Sequence, residues 1–147
     1  MADWAENRLE IIGQENEVLG FIEKFRAVDN KGNDCVSFEN IIPFVKSNDI
    51  SDVDLCSKVY GVKHSVGFNA IFENNIIYFS TPWNTPLEFF IEASRLYQSL
   101  TFNVKAEYYE YDDETFSVQN GVILNTSIDL EQRKLHREFN YRLLSGL

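Results

Sequence analysis

Nucleophilic catalysis of the Ser-His-Asp or Cys-His kind needs a base within reach of its nucleophile. This chain of 147 residues has two histidines, His64 and His136, and no recognisable motif surrounds either. Cys35 and Cys56 are isolated from one another, and no C-x-x-C occurs. A structural zinc site needs four close Cys or His ligands. The two cysteines therefore read as ordinary reduced thiols. Neither a G-x-G-x-x-G nor a G-x-x-x-x-G-K-[ST] segment is present, so no motif supports the cradling of a nucleotide phosphate. The sequence nominates no catalytic residue, no metal ligand set and no cofactor.

The segment that stands out chemically is Glu107-Tyr108-Tyr109-Glu110-Tyr111-Asp112-Asp113-Glu114, five carboxylates and three tyrosines. Strand ends and turns are often charged, so one reading is a plain solvent-facing turn. Hard cations bind carboxylate oxygens, but the EF-hand ligand spacing is missing. The functional reading is a contact surface. Glu107, Glu110, Asp112, Asp113 and Glu114 would complement a basic patch, and Tyr109 and Tyr111 would serve as rigid anchors. Spaced carboxylates also imitate a phosphate backbone. Stacking of RNA bases on Tyr109 and Tyr111 is the obvious analogy, but the surrounding charge has the wrong sign.

That sign holds for the whole chain, with 13 Lys and Arg against 23 Asp and Glu. Removing the tail helix's four basic and three acidic residues leaves 9 basic against 20 acidic in residues 1–127. Direct nucleic-acid binding is not expected. A basic protein surface is the expected partner, such as that of a nucleic-acid-binding enzyme. The longest apolar runs fall short of the roughly 20 residues that cross a bilayer. The acidic start lacks the basic, apolar signature of a secretory signal, so a cytoplasmic location without membrane contact is expected.

The elements that must position these residues are legible in part. Leu9 and Ile11 alternate with Arg8 and Glu10, as in a half-buried strand. Val18, Phe21, Ile22, Phe25 and Val28 then mark one face of a helix. Residues 37–61 read as an ordered connection with one or two short helices. Val66, Phe68, Ala70 and Phe72 alternate through a strand, Asn74-Asn75 turns the chain, and Ile76 to Thr81 returns it. Thr85-Pro86-Leu87-Glu88 has the form of a capping box with proline at the first helical position, predicting a helix to about Ser99. A long strand is expected over Thr101 to Tyr111 and a further one over Phe116 to Leu124, interrupted at Asn120-Gly121. Asp129 to Leu144 reads as a helix.

The order β-α-β-β-α-β is a split βαβ pattern. It predicts an α+β, ferredoxin-like antiparallel sheet with two packed helices, plus a C-terminal strand and helix. We read residues 1–147 as one such domain and 128–147 as its helical extension. That helix is expected to cover the sheet of its own chain or to pack on a second copy, as in a homodimer.

Four segments carry a family resemblance over roughly residues 1–121. They are Trp4-Ala5-Glu6-Asn7, Ser37-Phe38-Glu39-Asn40-Ile41-Ile42-Pro43, Gly61-Val62-Lys63-His64 and Trp83-Asn84-Thr85-Pro86. Their order and spacing resemble the YubB-type ferredoxin-like family, small proteins of phages, plasmids and bacterial genomes. In that family a tryptophan usually stands where this chain has His64. The resemblance implies the fold and a mobile-element setting, and it carries no established activity.

Together these observations favour a non-enzymatic acidic binding protein, for example an inhibitor of a nucleic-acid-handling host defence enzyme such as a CRISPR effector. One alternative is a small-ligand binder or small enzyme with a pocket near Lys63, His64 and Trp83. Another is a structural or oligomeric module.

Overall fold

The computed structural model describes residues 4–43 and 51–135. Among these residues, eight strands form one antiparallel sheet. In chain order the elements are β1 (Trp4–Ile12), α1 (Glu15–Phe25), β2 (Arg26–Val28), β3 (Asp34–Ser37), α2 (Phe38–Ile41) and α3 (Asp52–Tyr60). They continue with β4 (Val66–Glu73), β5 (Ile76–Pro82), α4 (Leu87–Leu96), β6 (Thr101–Glu107), β7 (Glu114–Gln119) and β8 (Val122–Thr126). Residues 130–135 are helical. The sheet order is β2-β3-β4-β5-β1-β6-β7-β8.

The α+β class expected from the pattern holds, but the sheet is larger than the five strands expected. Two of the extra strands come from the turn-rich stretch after α1. The apolar spacing predicts Val28 on the helical face, yet the helix stops at Phe25 and Val28 is 63% exposed at a sheet edge. Asp29 makes the β2–β3 turn, accepting from the Lys31 and Asn33 amides, both at 2.9 Å. Those amide contacts, the Asn33 one foremost, hold its carboxyl below its usual pKa. The expected single strand from Phe116 is instead a hairpin. Asn120 and Gly121 take φ of 48° and 76°, the positive pair that a two-residue type I′ turn demands.

The alternation expected from Val66 to Phe72 is also broken. A register shift falls between Phe68 and Ile71, and Asn69 has φ 54°. This bulge leaves Gly67 buried against Phe79 and Val36, where a Cβ would lie 2.4 and 2.7 Å from their side chains.

The helix-covered face of the sheet holds a phenylalanine core. Phe21, Phe25, Phe38, Phe79, Phe89, Phe90, Phe102 and Phe116 are each at most 2% exposed. Phe25 stacks on Phe89 with centroids 5.4 Å apart, joining α1 to α4. Each fully buried ring of this kind contributes roughly 1.5–3 kcal/mol of transfer free energy. The Phe-rich composition thus ends up as one layer of flat side chains between sheet and helices. Trp4, Glu6, Arg8 and Ile12 alternate onto the opposite face and are exposed.

Candidate functional site

The ladder registers decide which residues share one end of the sheet. Trp4 pairs with Pro82, Glu6 with both Ser80 and Glu107, and Ser80 with Phe68. The start of β1, the start of β4 and the ends of β5 and β6 therefore coincide. Lys63 and His64 lie just before β4, Trp83 just after β5, and Glu107 closes β6. Two groups of residues that look unrelated in sequence, Lys63, His64 and Trp83 on one side and Glu107 to Glu114 on the other, occupy the same end.

Two separate sets of ring contacts involve the first group. The Lys63 ammonium lies 4.8 Å from the Trp83 ring centroid. His64 meets Phe68 edge-on at 5.7 Å, and Phe68 meets Trp4 edge-on at 5.9 Å. Trp4 and Trp83 are 44% and 43% exposed. Phe68 reaches this cluster because of the bulge that follows it.

The second group is a loop and not the strand that alternation predicts. β6 ends at Glu107, and residues 109–113 are exposed and outside any strand. Tyr109 is 93% exposed and Tyr111 is 64% exposed, so neither lies flat on the sheet as a stacking platform. Lys105 reaches Glu107 and Asp113, both at 3.7 Å. Glu114 opens β7, and its carboxylate accepts a hydrogen bond from the Tyr108 hydroxyl. Burial, then that acceptor, pushes the Tyr108 pKa well above the usual phenol value.

Beneath both groups runs a buried polar network that the sequence reading missed. Asn7 is 2% exposed, and Thr81 and Thr85 are fully buried. Thr85 Oγ1 donates to Asn7 Oδ1 at 2.8 Å, and Asn7 Nδ2 donates to Thr81 Oγ1 at 3.0 Å and to the Phe79 carbonyl at 3.2 Å. Thr81 Oγ1 donates to the Asn84 carbonyl at 2.6 Å, and the Thr85 amide donates to Tyr108 Oη at 3.2 Å. Thr85 is therefore not the helix cap. Pro86 occupies the cap position without a side-chain bond, and α4 starts at Leu87. Glu88, the expected third member of the capping box, instead pairs with Arg133. The guanidinium donates from Nε to Glu88 Oε2 at 3.0 Å and from Nη2 to Glu88 Oε1 at 2.6 Å and to the Thr85 carbonyl at 2.8 Å. Arg133 and Glu88 side chains are 10% and 19% exposed. Burial opposes the Arg133 charge, but Glu88 outweighs it and raises the pKa above its ordinary value.

Arg133 settles where the start of the tail helix packs: on α4 of its own chain. The part of the expected extension beyond residue 135, including His136, lies outside the described residues. The network also fixes the backbone of Trp83, whose φ is 69°. The Asn84 amide donates to the Pro82 carbonyl at 2.8 Å, and Thr81 holds the Asn84 carbonyl. A bulky residue in the left-handed region is strained and persists only where its neighbours enforce it.

Among the described residues, no group of three or more His, Cys, Asp or Glu side chains is placed to hold a metal ion. No described helix is long and apolar enough to cross a membrane. Cys35 and Cys56 are buried thiols, and burial raises the Cys35 pKa.

No protein-family model matches the chain, and no curated protein matches it. Among solved structures, protein api92 from Yersinia pseudotuberculosis, of family-model DUF1281, is similar with a TM-score of 0.51 and 17% identity. The match covers 62% of this chain and 38% of that one, so the chain corresponds to well under half of the api92 protein. At that identity the likeness concerns the fold alone.

Proposed function

We propose that this chain is a non-enzymatic binding protein that acts on a basic protein surface through the Glu107–Glu114 segment. The observation that carries the reading is the loop itself: Tyr109 and Tyr111, 93% and 64% exposed, are interleaved with carboxylates. Exposed tyrosines cost little side-chain entropy to bury, and the carboxylates steer and select a cationic partner. The partner class is a nucleic-acid-handling enzyme whose basic groove normally holds phosphates, and the chain inhibits it by occupying that groove. A host defence enzyme such as a CRISPR effector is the leading candidate.

The fold and setting belong to the same proposal. The central strand order β4-β5-β1-β6, with α1 and α4 as its connections, supports a ferredoxin-like βαββαβ unit within the larger sheet. The YubB-type resemblance gives it a phage or plasmid setting in the bacterial cytoplasm.

The test uses a panel of purified nucleic-acid-handling defence enzymes, with binding read at low and high salt and in competition with the cognate nucleic acid. Binding that weakens with salt, is displaced by nucleic acid and is lost in Tyr109→Ser/Tyr111→Ser supports the reading. Absence of salt-sensitive binding across the panel overturns it.

A further inference from the structure

The aromatic cluster at this end of the sheet says more about the partner than charge alone. We propose that Trp4 and Trp83 are the anchors of the contact and that the group they recognise is arginine. This rests on the basic-partner reading and narrows it to one side chain.

Three observations converge on it. Trp83 already carries a cation on its ring, the Lys63 ammonium at 4.8 Å, which is the contact that an incoming guanidinium would share or take over. Glu6 and Glu107 face each other across β1 and β6 on the exposed side, two residues from Trp4. That like-charge pair favours a cation placed beside Trp4. Trp83 is also pre-positioned. Its φ of 69° is enforced by the buried Asn7, Thr81 and Asn84 contacts, so little order has to be gained on binding.

Arginine fits this arrangement better than lysine. A guanidinium plane stacks on an indole while its edge donates two parallel bonds to a carboxylate. An ammonium can do only one of these well. Exposed tryptophans beside carboxylates therefore discriminate between the two cations, whereas carboxylates alone would not.

The chain holds two tryptophans, and both lie at this end of the sheet, so intrinsic fluorescence reports on it directly. The experiment titrates the full chain with a homo-arginine and a homo-lysine peptide of equal length. The variants are Trp83→Gly, Trp4→Ala and a loop variant, Glu110→Gln/Asp112→Asn. Glycine suits the positive φ at position 83, so Trp83→Gly removes the ring without misfolding the turn. Supporting results are a shift in tryptophan emission with the arginine peptide, affinity for it about tenfold above lysine, and a loss of about tenfold in either tryptophan variant by calorimetry. Equal affinity for both peptides, with the loop variant weakening both and the tryptophan variants neither, overturns the arginine proposal and leaves the basic-partner reading intact. Failure of both peptides to bind also overturns it, and the enzyme panel then decides the broader reading separately.

Discussion

Glu6 stands directly opposite Glu107 in the β1–β6 ladder, with both side chains on the exposed face. Like charges so placed destabilise a sheet. Ser80 Oγ donates to Glu6 at 2.5 Å, and Lys105 Nζ lies 3.7 Å from Glu107, which offsets part of the repulsion. Glu107→Gln is therefore expected to stabilise the fold by about 0.2–1 kcal/mol and to weaken binding of a basic partner. Urea unfolding of the two proteins checks the first half. A lower midpoint in Glu107→Gln would mean that the Lys105 contact outweighs the repulsion.

The ion pair between Arg133 and Glu88 fastens residues 130–135 to α4. Breaking one side of a buried pair costs about 3–5 kcal/mol. Arg133→Met should lose about that much, and Glu88→Met/Arg133→Met should recover a large share of it. A double-mutant cycle by urea denaturation measures the coupling. If the double variant loses the sum of what Arg133→Met and Glu88→Met each lose alone, the pair contributes no coupling of its own.

Gly61 makes the same junction possible. Its φ is 79°, and a Cβ there would sit 2.0 Å from Glu88 Oε1 and 2.8 Å from Arg133 Nη2. Gly61→Ala combines a left-handed backbone cost of about 1–2 kcal/mol with displacement of the pair. Thermal unfolding should show a loss larger than Gly32→Ala causes, since a Cβ at Gly32 meets nothing within 4 Å.

These two junctions show what could be read from the sequence and what could not. Period-2 and period-3.6 patterns located β1, the β4–β5 hairpin, α1 and α4, because each buries one face against the same core. The Thr85–Glu88 segment has the composition of a capping box, yet its side chains are taken by Asn7 and Arg133, 78 and 45 residues away in sequence. Long-range partners of that kind leave no local signal. Alternation runs past Glu107 to Tyr111 because tyrosines fit a strand, yet β6 ends at Glu107 and residues 109–113 are exposed outside any strand. The Asn69 bulge turned Phe68 toward Trp4, and the alternation gave no warning of it. Asn120-Gly121 was a hairpin signal in plain view, and reading it as an interruption cost one strand.

Alkaline stability follows from two buried phenols. Burial first of all raises the pKa of both Tyr60 and Tyr108 above the usual value of 10.0. Above that value the unfolded chain releases these protons before the folded one does. The native state then binds more protons, so stability falls as pH rises. Stability is therefore expected to be unaffected by these groups below about pH 10 and to be lost progressively above it. Tyr108→Phe should flatten part of that decline in urea unfolding across alkaline pH. An identical decline would assign it elsewhere.

The strained turn at Trp83 gives a stability comparison that is independent of any partner. Trp83→Gly relieves the positive φ, whereas Trp83→Ala keeps it. The glycine variant should be the more stable of the two by about 1 kcal/mol, read from chemical denaturation. Equal stabilities would mean that the backbone relaxes once the ring is gone.

The central claim is that one end of the sheet, which carries Trp4, Trp83 and the Tyr109–Asp113 loop, contacts a basic partner. Heteronuclear NMR of the isotope-labelled chain, titrated with an arginine peptide, tests it most directly. The account predicts shifts in the two indole N–H signals and in the amides of residues 107–114, with the α1 and β2 amides unmoved. Shifts centred on α1, on β2 or spread evenly over the acidic surface would contradict it.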